Sequence, residues 1–143
     1  MTRFAQGPAS SPGFLLWRLT LAWQRAVTTA LAPLGLTHVQ FVLLACTWWL
    51  NEQGEQPNQV ALAAQAGTEI RMTSQVVRSL ERKGLIERAV DESDTRARLL
   101  RVTRRGARLA PRAIEVVEAA DAAFFQRSST PQAVRLLRGL AGR

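Results

Sequence analysis

The sequence predicts a mainly α-helical protein with one small β-hairpin. Three observations point there. Apolar residues recur at intervals of three and four through most of the chain. Capping residues, glycines and prolines bracket those stretches. Two short segments, Leu85 to Val90 and Leu99 to Val102, read as extended and flank a polar, charged stretch from Asp91 to Arg98, as a hairpin with an exposed tip would.

Taken in order, residues 1–13 hold Gly7, Pro8, Ser10, Ser11, Pro12 and Gly13 and are expected to form a flexible arm. From Phe14 to Leu31 the apolar positions Leu15, Leu16, Leu19, Trp23, Val27 and Leu31 keep helical spacing, and Pro33 and Gly35 end that helix. Thr37-His38-Val39-Gln40 is a capping box, in which the Thr hydroxyl and the Gln side chain satisfy free amides at a helix start. The second helix then runs to about Leu50. It is apolar on nearly every side, with Val39, Val42, Leu43, Cys46, Trp49 and Leu50 on one face and Phe41, Leu44 and Trp48 on another. Packing on all sides is therefore expected.

Asn51 to Pro57 is a polar loop, and Asn58 is a good N-cap for a short third helix, Gln59 to Ala66, which Gly67 ends. A fourth helix starts at Thr68 or Glu69 and runs to Lys83, with Met72, Val76, Val77 and Leu80 as its apolar positions and Gly84 as its stop. After the hairpin a fifth helix follows from about Thr103, with Leu109, Ala113, Val117, Ala120 and Phe124 on one face. Pro111 is expected to bend it or to mark a late start. Thr130-Pro131 reads as an N-cap and first-turn proline for a last helix carrying Val134, Leu137 and Leu140.

Composition narrows the function. The 143 residues fit one domain, and 47% hydrophobic content supports a real core. No apolar run approaches the ~20 residues of a membrane span, and residues 1–13 lack the pattern of a secretion signal, so a soluble cytoplasmic protein with no membrane partner is expected. A single cysteine, Cys46, and a single histidine, His38, exclude an internal disulfide and a multi-cysteine metal site. No nucleophile elbow and no phosphate-binding glycine loop is present, so neither an enzyme nor a cofactor is expected. The net charge is +8, carried by 18 Arg and one Lys, Lys83. A GC-rich genome explains why the base is arginine; it does not explain an excess over acid, for which a polyanionic partner is the better reason.

Two short helices joined by a tight turn, the second basic and followed by a charged hairpin, form a winged helix-turn-helix layout. The outward face of the fourth helix carries Arg71, Ser74, Gln75 and Arg78 at spacings of three and four. These side chains suit base edges in a major groove: Arg for guanine, Gln for adenine, Ser for either. A solvated polar face would look the same on pattern alone. The hairpin tip sharpens the case, because Arg96 and Arg98 lie beside Asp94, an arginine there can enter the minor groove, and a nearby carboxylate can hold its guanidinium. Ten basic residues fall between Arg71 and Arg105, over half of the chain's total.

Val76-Val77-Arg78-Ser79-Leu80-Glu81-Arg82-Lys83-Gly84-Leu85-Ile86-Glu87-Arg88 resembles the recognition-helix end and first wing strand of the MarR family. Asp94-Thr95-Arg96-Ala97, followed by Val102-Thr103-Arg104-Arg105-Gly106, resembles that family's wing signature, and the resemblance extends roughly from Leu15 to Leu140. It implies a homodimer whose first and last helices interlock, binding to inverted repeats in duplex DNA, commonly as a repressor. It also implies release by small aromatic ligands held between the dimer region and the DNA-binding lobe. By position, Arg96 becomes the wing arginine, Asp94 its partner, and Ser74 and Gln75 base-reading residues, with Arg common in relatives where this chain has Gln75. The expected organisation is an arm at 1–13, a helical dimerisation region at 14–36 and 104–143, and a winged helix-turn-helix lobe at 37–103.

Other side chains carry weaker readings. Cys46, in an apolar helix of a chain with no Tyr, is expected to be an inert core thiol rather than a redox sensor. Trp17, His38, Trp48 and Trp49 are candidates for an effector pocket, although tryptophans at helical spacing more often build core. The competing class is a non-sensing architectural or RNA-binding protein. RNA modules present exposed aromatics for stacking, and none lies between Arg71 and Arg105.

Overall fold

The computed structural model describes residues 2–94 and 98–142. Its regular elements are α1 (Pro12–Leu31), α2 (His38–Glu52), α3 (Gln59–Ala66), α4 (Ile70–Arg82), β1 (Ile86–Val90), β2 (Arg98–Val102), α5 (Arg104–Phe124) and α6 (Thr130–Leu140). The mainly helical fold with one hairpin is therefore as the sequence predicts. The chain divides into two compact units, residues 31–116 and residues 1–30 with 117–143.

In the unit 31–116, the predicted capping box at the start of α2 is present in both directions. Thr37 Oγ1 accepts the Gln40 amide (3.2 Å) and Gln40 Oε1 accepts the Thr37 amide (3.1 Å). The buried face of α2 is a single stripe, Gln40, Leu43, Leu44, Thr47 and Leu50, at helical spacing. This corrects the expectation of packing on all sides: Trp49 is 48% exposed and Val39, Val42, Cys46 and Trp48 are only half-buried. The buried polar Thr47 is tolerated because its hydroxyl donates to the Leu43 carbonyl one turn back (2.7 Å).

Asn58 caps α3 through the Ala61 amide (2.8 Å), as expected. Gly67 follows in the left-handed conformation (φ 72°), which a side chain would disfavour and which lets the chain turn directly into α4. The hairpin is antiparallel, with Ile86 opposite Val102 and Val90 opposite Arg98. It is anchored to the loop after α2 by the Leu100 amide on the Pro57 carbonyl (2.8 Å). Asn51 adds a second anchor, accepting the Val102 amide (2.8 Å) and donating to the carbonyls of Leu100 (3.3 Å) and Glu55 (2.9 Å). Leu62, Val77, Leu80, Leu85, Ile86 and Leu100 are all buried in this unit with the α2 leucines.

Thr103 and Gly106 join the hairpin to α5. The Thr103 hydroxyl accepts the Gly106 amide (3.0 Å), capping the helix, and donates to the Gly84 carbonyl (2.6 Å). A Cβ on Gly106 would fall 2.1 Å from the Leu85 carbonyl oxygen, so only glycine fits. Helix α5 starts at Arg104 and runs through Pro111, so the proline does not delay the start.

In the other unit α1 begins two residues before the expected start at Phe14, because Ser11 caps it (Phe14 amide to Ser11 Oγ, 3.3 Å) and Pro12 suits a first turn. Short 3₁₀ turns at Arg3–Gln6 and Pro8–Ser10 precede it. Trp23 Nε1 donates to Asp121 Oδ1 (2.7 Å), linking α1 to the end of α5. Helix α6 is capped by Ser129 rather than Thr130: Ser129 Oγ accepts the Gln132 amide (3.1 Å), which puts Pro131 at the second helical position. Leu16, Trp17, Leu19, Leu136, Leu137 and Leu140 are exposed on these helices. Among the described residues no single helix is long and apolar enough to cross a membrane.

Candidate nucleic-acid interface

Helix α4 has two faces. Thr73, Val77 and Leu80 are buried, at spacings of four and three. This corrects the expected apolar set: Val77 and Leu80 are core, but Met72 is 39% exposed and Val76 half-buried, and Thr73 takes the place assigned to them. Thr73 can be buried because its hydroxyl donates to the Glu69 carbonyl (2.8 Å) and shares a hydrogen bond with Thr68 Oγ1 (2.7 Å). These two bonds also fix the turn between α3 and α4, where Glu69 at the N-cap makes no side-chain capping bond.

The opposite face brings Arg71, Ser74, Gln75 and Arg78 together as the sequence predicts. They share a shallow depression of about 680 Å³ with Gln59 and Ile70. Arg71, Gln75 and Arg78 are exposed and Ser74 is half-buried. Neither Arg71 nor Arg78 makes an ion pair with a described residue, whereas Arg88 is paired with Glu81 (2.5 Å) and Arg101 with Glu87 (2.7 Å). Glu81 and Glu87 thus neutralise Arg88 and Arg101 and leave the outer face of α4 positive, which is the electrostatic arrangement a phosphate backbone requires.

A polar network holds this helix in place. Lys83 Nζ donates to the Gly35 carbonyl (2.5 Å) and to Gln40 Oε1 (2.7 Å). Buried Gln40 in turn donates through Nε2 to Ser79 Oγ (3.0 Å). The segment before α2, the α2 capping box and the last turns of α4 are thereby tied together. Sequence reasoning missed this network. The available signal was that Lys83 is the lone lysine among 18 arginines, in a place where a compact ammonium reaches two acceptors. It also missed Gln59 and Ile70, the first residues of α3 and α4, which line the same depression.

At the hairpin, Arg98 opens β2 and is exposed, and Asp94 is exposed in the connection. The pairing expected between Asp94 and Arg96 lies outside the described residues, since Arg96 falls in 95–97. Asp91 accepts the Ser93 hydroxyl (2.7 Å) and the Ser93 amide (2.9 Å), and these bonds hold its carboxyl below the usual aspartate range. Of the four residues considered for an effector, Trp17 is 63% exposed in the unit containing residues 1–30, and His38, Trp48 and Trp49 belong to the unit 31–116. Cys46 is half-buried, and burial pushes its thiol pKa up, as an unreactive thiol requires. Among the described residues no three His, Cys, Asp or Glu side chains cluster as metal ligands would.

A helix-turn-helix with an exposed basic second helix and an antiparallel wing defines a winged helix-turn-helix protein of the DNA-binding class. A family model described as MarR family matches residues 36–97. The chain is 49% identical over 119 residues to the uncharacterized HTH-type transcriptional regulator YdcH of Bacillus subtilis, covering 83% of this chain and 81% of that protein. It is 36% identical over 120 residues to the HTH-type transcriptional repressor Rv2887 of Mycobacterium tuberculosis, covering 84% of each. Among solved structures, CouR from Rhodococcus jostii RHA1 bound to p-coumaroyl-CoA superposes with a TM-score of 0.82 at 32% identity, over 95% of this chain and 92% of that one. The complex of Rv2887 with salicylic acid superposes with a TM-score of 0.66 at 34% identity, over 92% and 95%. The chain belongs to the MarR family of transcriptional regulators.

Proposed function

We propose that this chain is a cytoplasmic repressor that binds an inverted-repeat operator as a homodimer, with α4 in the major groove and the hairpin against the minor groove. One observation carries the reading. The face of α4 opposite its core residues gathers Arg71, Ser74, Gln75 and Arg78, and neither arginine has a carboxylate partner among the described residues. Arg96 and Arg98 are assigned to the wing contact and Asp94 to orienting Arg96. Residues 14–36 and 104–143 are assigned to the dimer, whose formation would cover the exposed Leu16, Leu19, Leu136, Leu137 and Leu140. Two copies related by a two-fold axis demand two half-sites about one helical turn apart, about 10 bp centre to centre or a multiple of it. The test is binding, at one salt concentration, to a duplex selected from a random pool, to a scrambled copy and to a copy with about half a turn of DNA inserted between half-sites. Tight binding to the first alone is expected, and equal affinity for all three overturns the proposal.

The relatives bound to p-coumaroyl-CoA and to salicylic acid support a small aromatic effector for this chain as well. Trp17, His38, Trp48 and Trp49 are the side chains proposed to meet it, each at least partly exposed. Titration with aromatic carboxylates and their thioesters should quench tryptophan fluorescence and release the selected duplex. Absence of both effects with every ligand overturns the effector assignment and leaves the DNA assignment standing.

A further inference from the structure

Ile70 is the first residue of α4, is 52% exposed, and sits in the depression lined by Gln59, Arg71, Ser74, Gln75 and Arg78. It is the only apolar side chain among the six that line that depression. The start of α4 is held by Thr68, Thr73 and the Glu69 carbonyl, none of which involves Ile70, and the helix core is Thr73, Val77 and Leu80. Along the helix Ile70, Ser74 and Arg78 form one row at spacings of four, with Arg71 and Gln75 in the neighbouring row, so Ile70 shares the proposed reading face. Met72, also exposed, lies two residues on and does not line the depression.

We infer that Ile70 is a specificity residue that contacts the C5 methyl of a thymine in each operator half-site. The surroundings argue for DNA over an apolar protein surface, because a rim carrying two arginines without ion-pair partners among the described residues complements a polyanion. Within a major groove the C5 methyl of thymine is the apolar feature of the base edges, and the N-terminal residues of a recognition helix are the ones that reach those edges. The arginines and Gln75 read hydrogen-bonding patterns; Ile70 adds a position at which a methyl is required. This inference rests on the base-reading role proposed for α4.

The experiment uses the full chain and the duplex selected from a random pool. Each thymine is replaced singly by deoxyuridine, which removes the methyl and leaves the pairing unchanged. One thymine in each half-site is expected to show about fourfold weaker binding on losing its methyl, the effect of one buried methyl-sized group. In Ile70→Ala the methyl-bearing and methyl-free duplexes should bind equally, and Ile70→Val should keep part of the difference. Because each variant is compared with itself on two duplexes, any loss of fold or of general affinity cancels. A preferred duplex with no methyl-sensitive thymine, or a sensitivity that persists in Ile70→Ala, overturns the role of Ile70 and leaves base reading by α4 intact. A pool that yields no preferred sequence overturns base reading and this inference together.

Discussion

A Cβ at position 106 would lie 2.1 Å from a backbone oxygen and 3.3 Å from the Val102 Cβ, at the point where α5 passes Leu85. Neither neighbour is the movable end of a long side chain, so Gly106→Ala should cost about 3 kcal/mol of folding stability in urea denaturation. At the reading face the effects should be on binding. Gln75→Ala should cost on the order of 1–3 kcal/mol on the selected duplex and little on random DNA. Arg98→Ala should weaken both by similar factors and flatten the salt dependence, as loss of a phosphate contact does. Both are measured by anisotropy titration over a salt series. Cys46 belongs to the same scale. Its raised pKa leaves less thiolate at neutral pH than a free cysteine has, so iodoacetamide should alkylate it more slowly than glutathione until the chain is unfolded.

At the scale of elements, local signals were sufficient wherever one residue decides a helix end. The α2 capping box, Asn58 before α3 and Gly67 after it act through bonds within a few residues, and all are present. Ser11 and Ser129 were missed as caps, although Ser11-Pro12 carries the same signal that was read one residue late at Thr130-Pro131. Which face an amphipathic helix buries was less legible. In α4 the apolar residues Met72 and Val76 flank the buried stripe, and Thr73 enters it because two hydroxyl bonds satisfy it, which composition cannot reveal. The anchoring of the hairpin was not legible, since Asn51 reaches residues about fifty positions away in sequence. Asn51→Ala should speed hydrogen exchange at the Val102 amide and destabilise the lobe by about 1–3 kcal/mol, because a buried strand edge loses its partners. Equal exchange in the variant and the parent would show that the hairpin stands without this anchor.

At the scale of the molecule, exposed leucines on α1 and α6 leave one chain with apolar surface on both terminal helices. Light scattering at micromolar concentration should give about twice the 15.8 kDa of one chain, and a stable monomer would sink the dimer assignment. By itself, the sequence determined the helix order, the hairpin, the helix-turn-helix and the four polar residues on one face of α4. Periodicity, caps and glycines act over a turn or two of chain and so are written locally. Tertiary structure alone decided that Arg88 and Arg101 are paired, because Glu81 and Glu87 neutralise them only once the hairpin is paired and packed. It likewise decided that Lys83 and Gln40 lock α4 to α2, and that Ile70 and Gln59 line one depression with the polar residues of α4. Those relations depend on distances between elements, and no pattern along the chain encodes a distance across the fold.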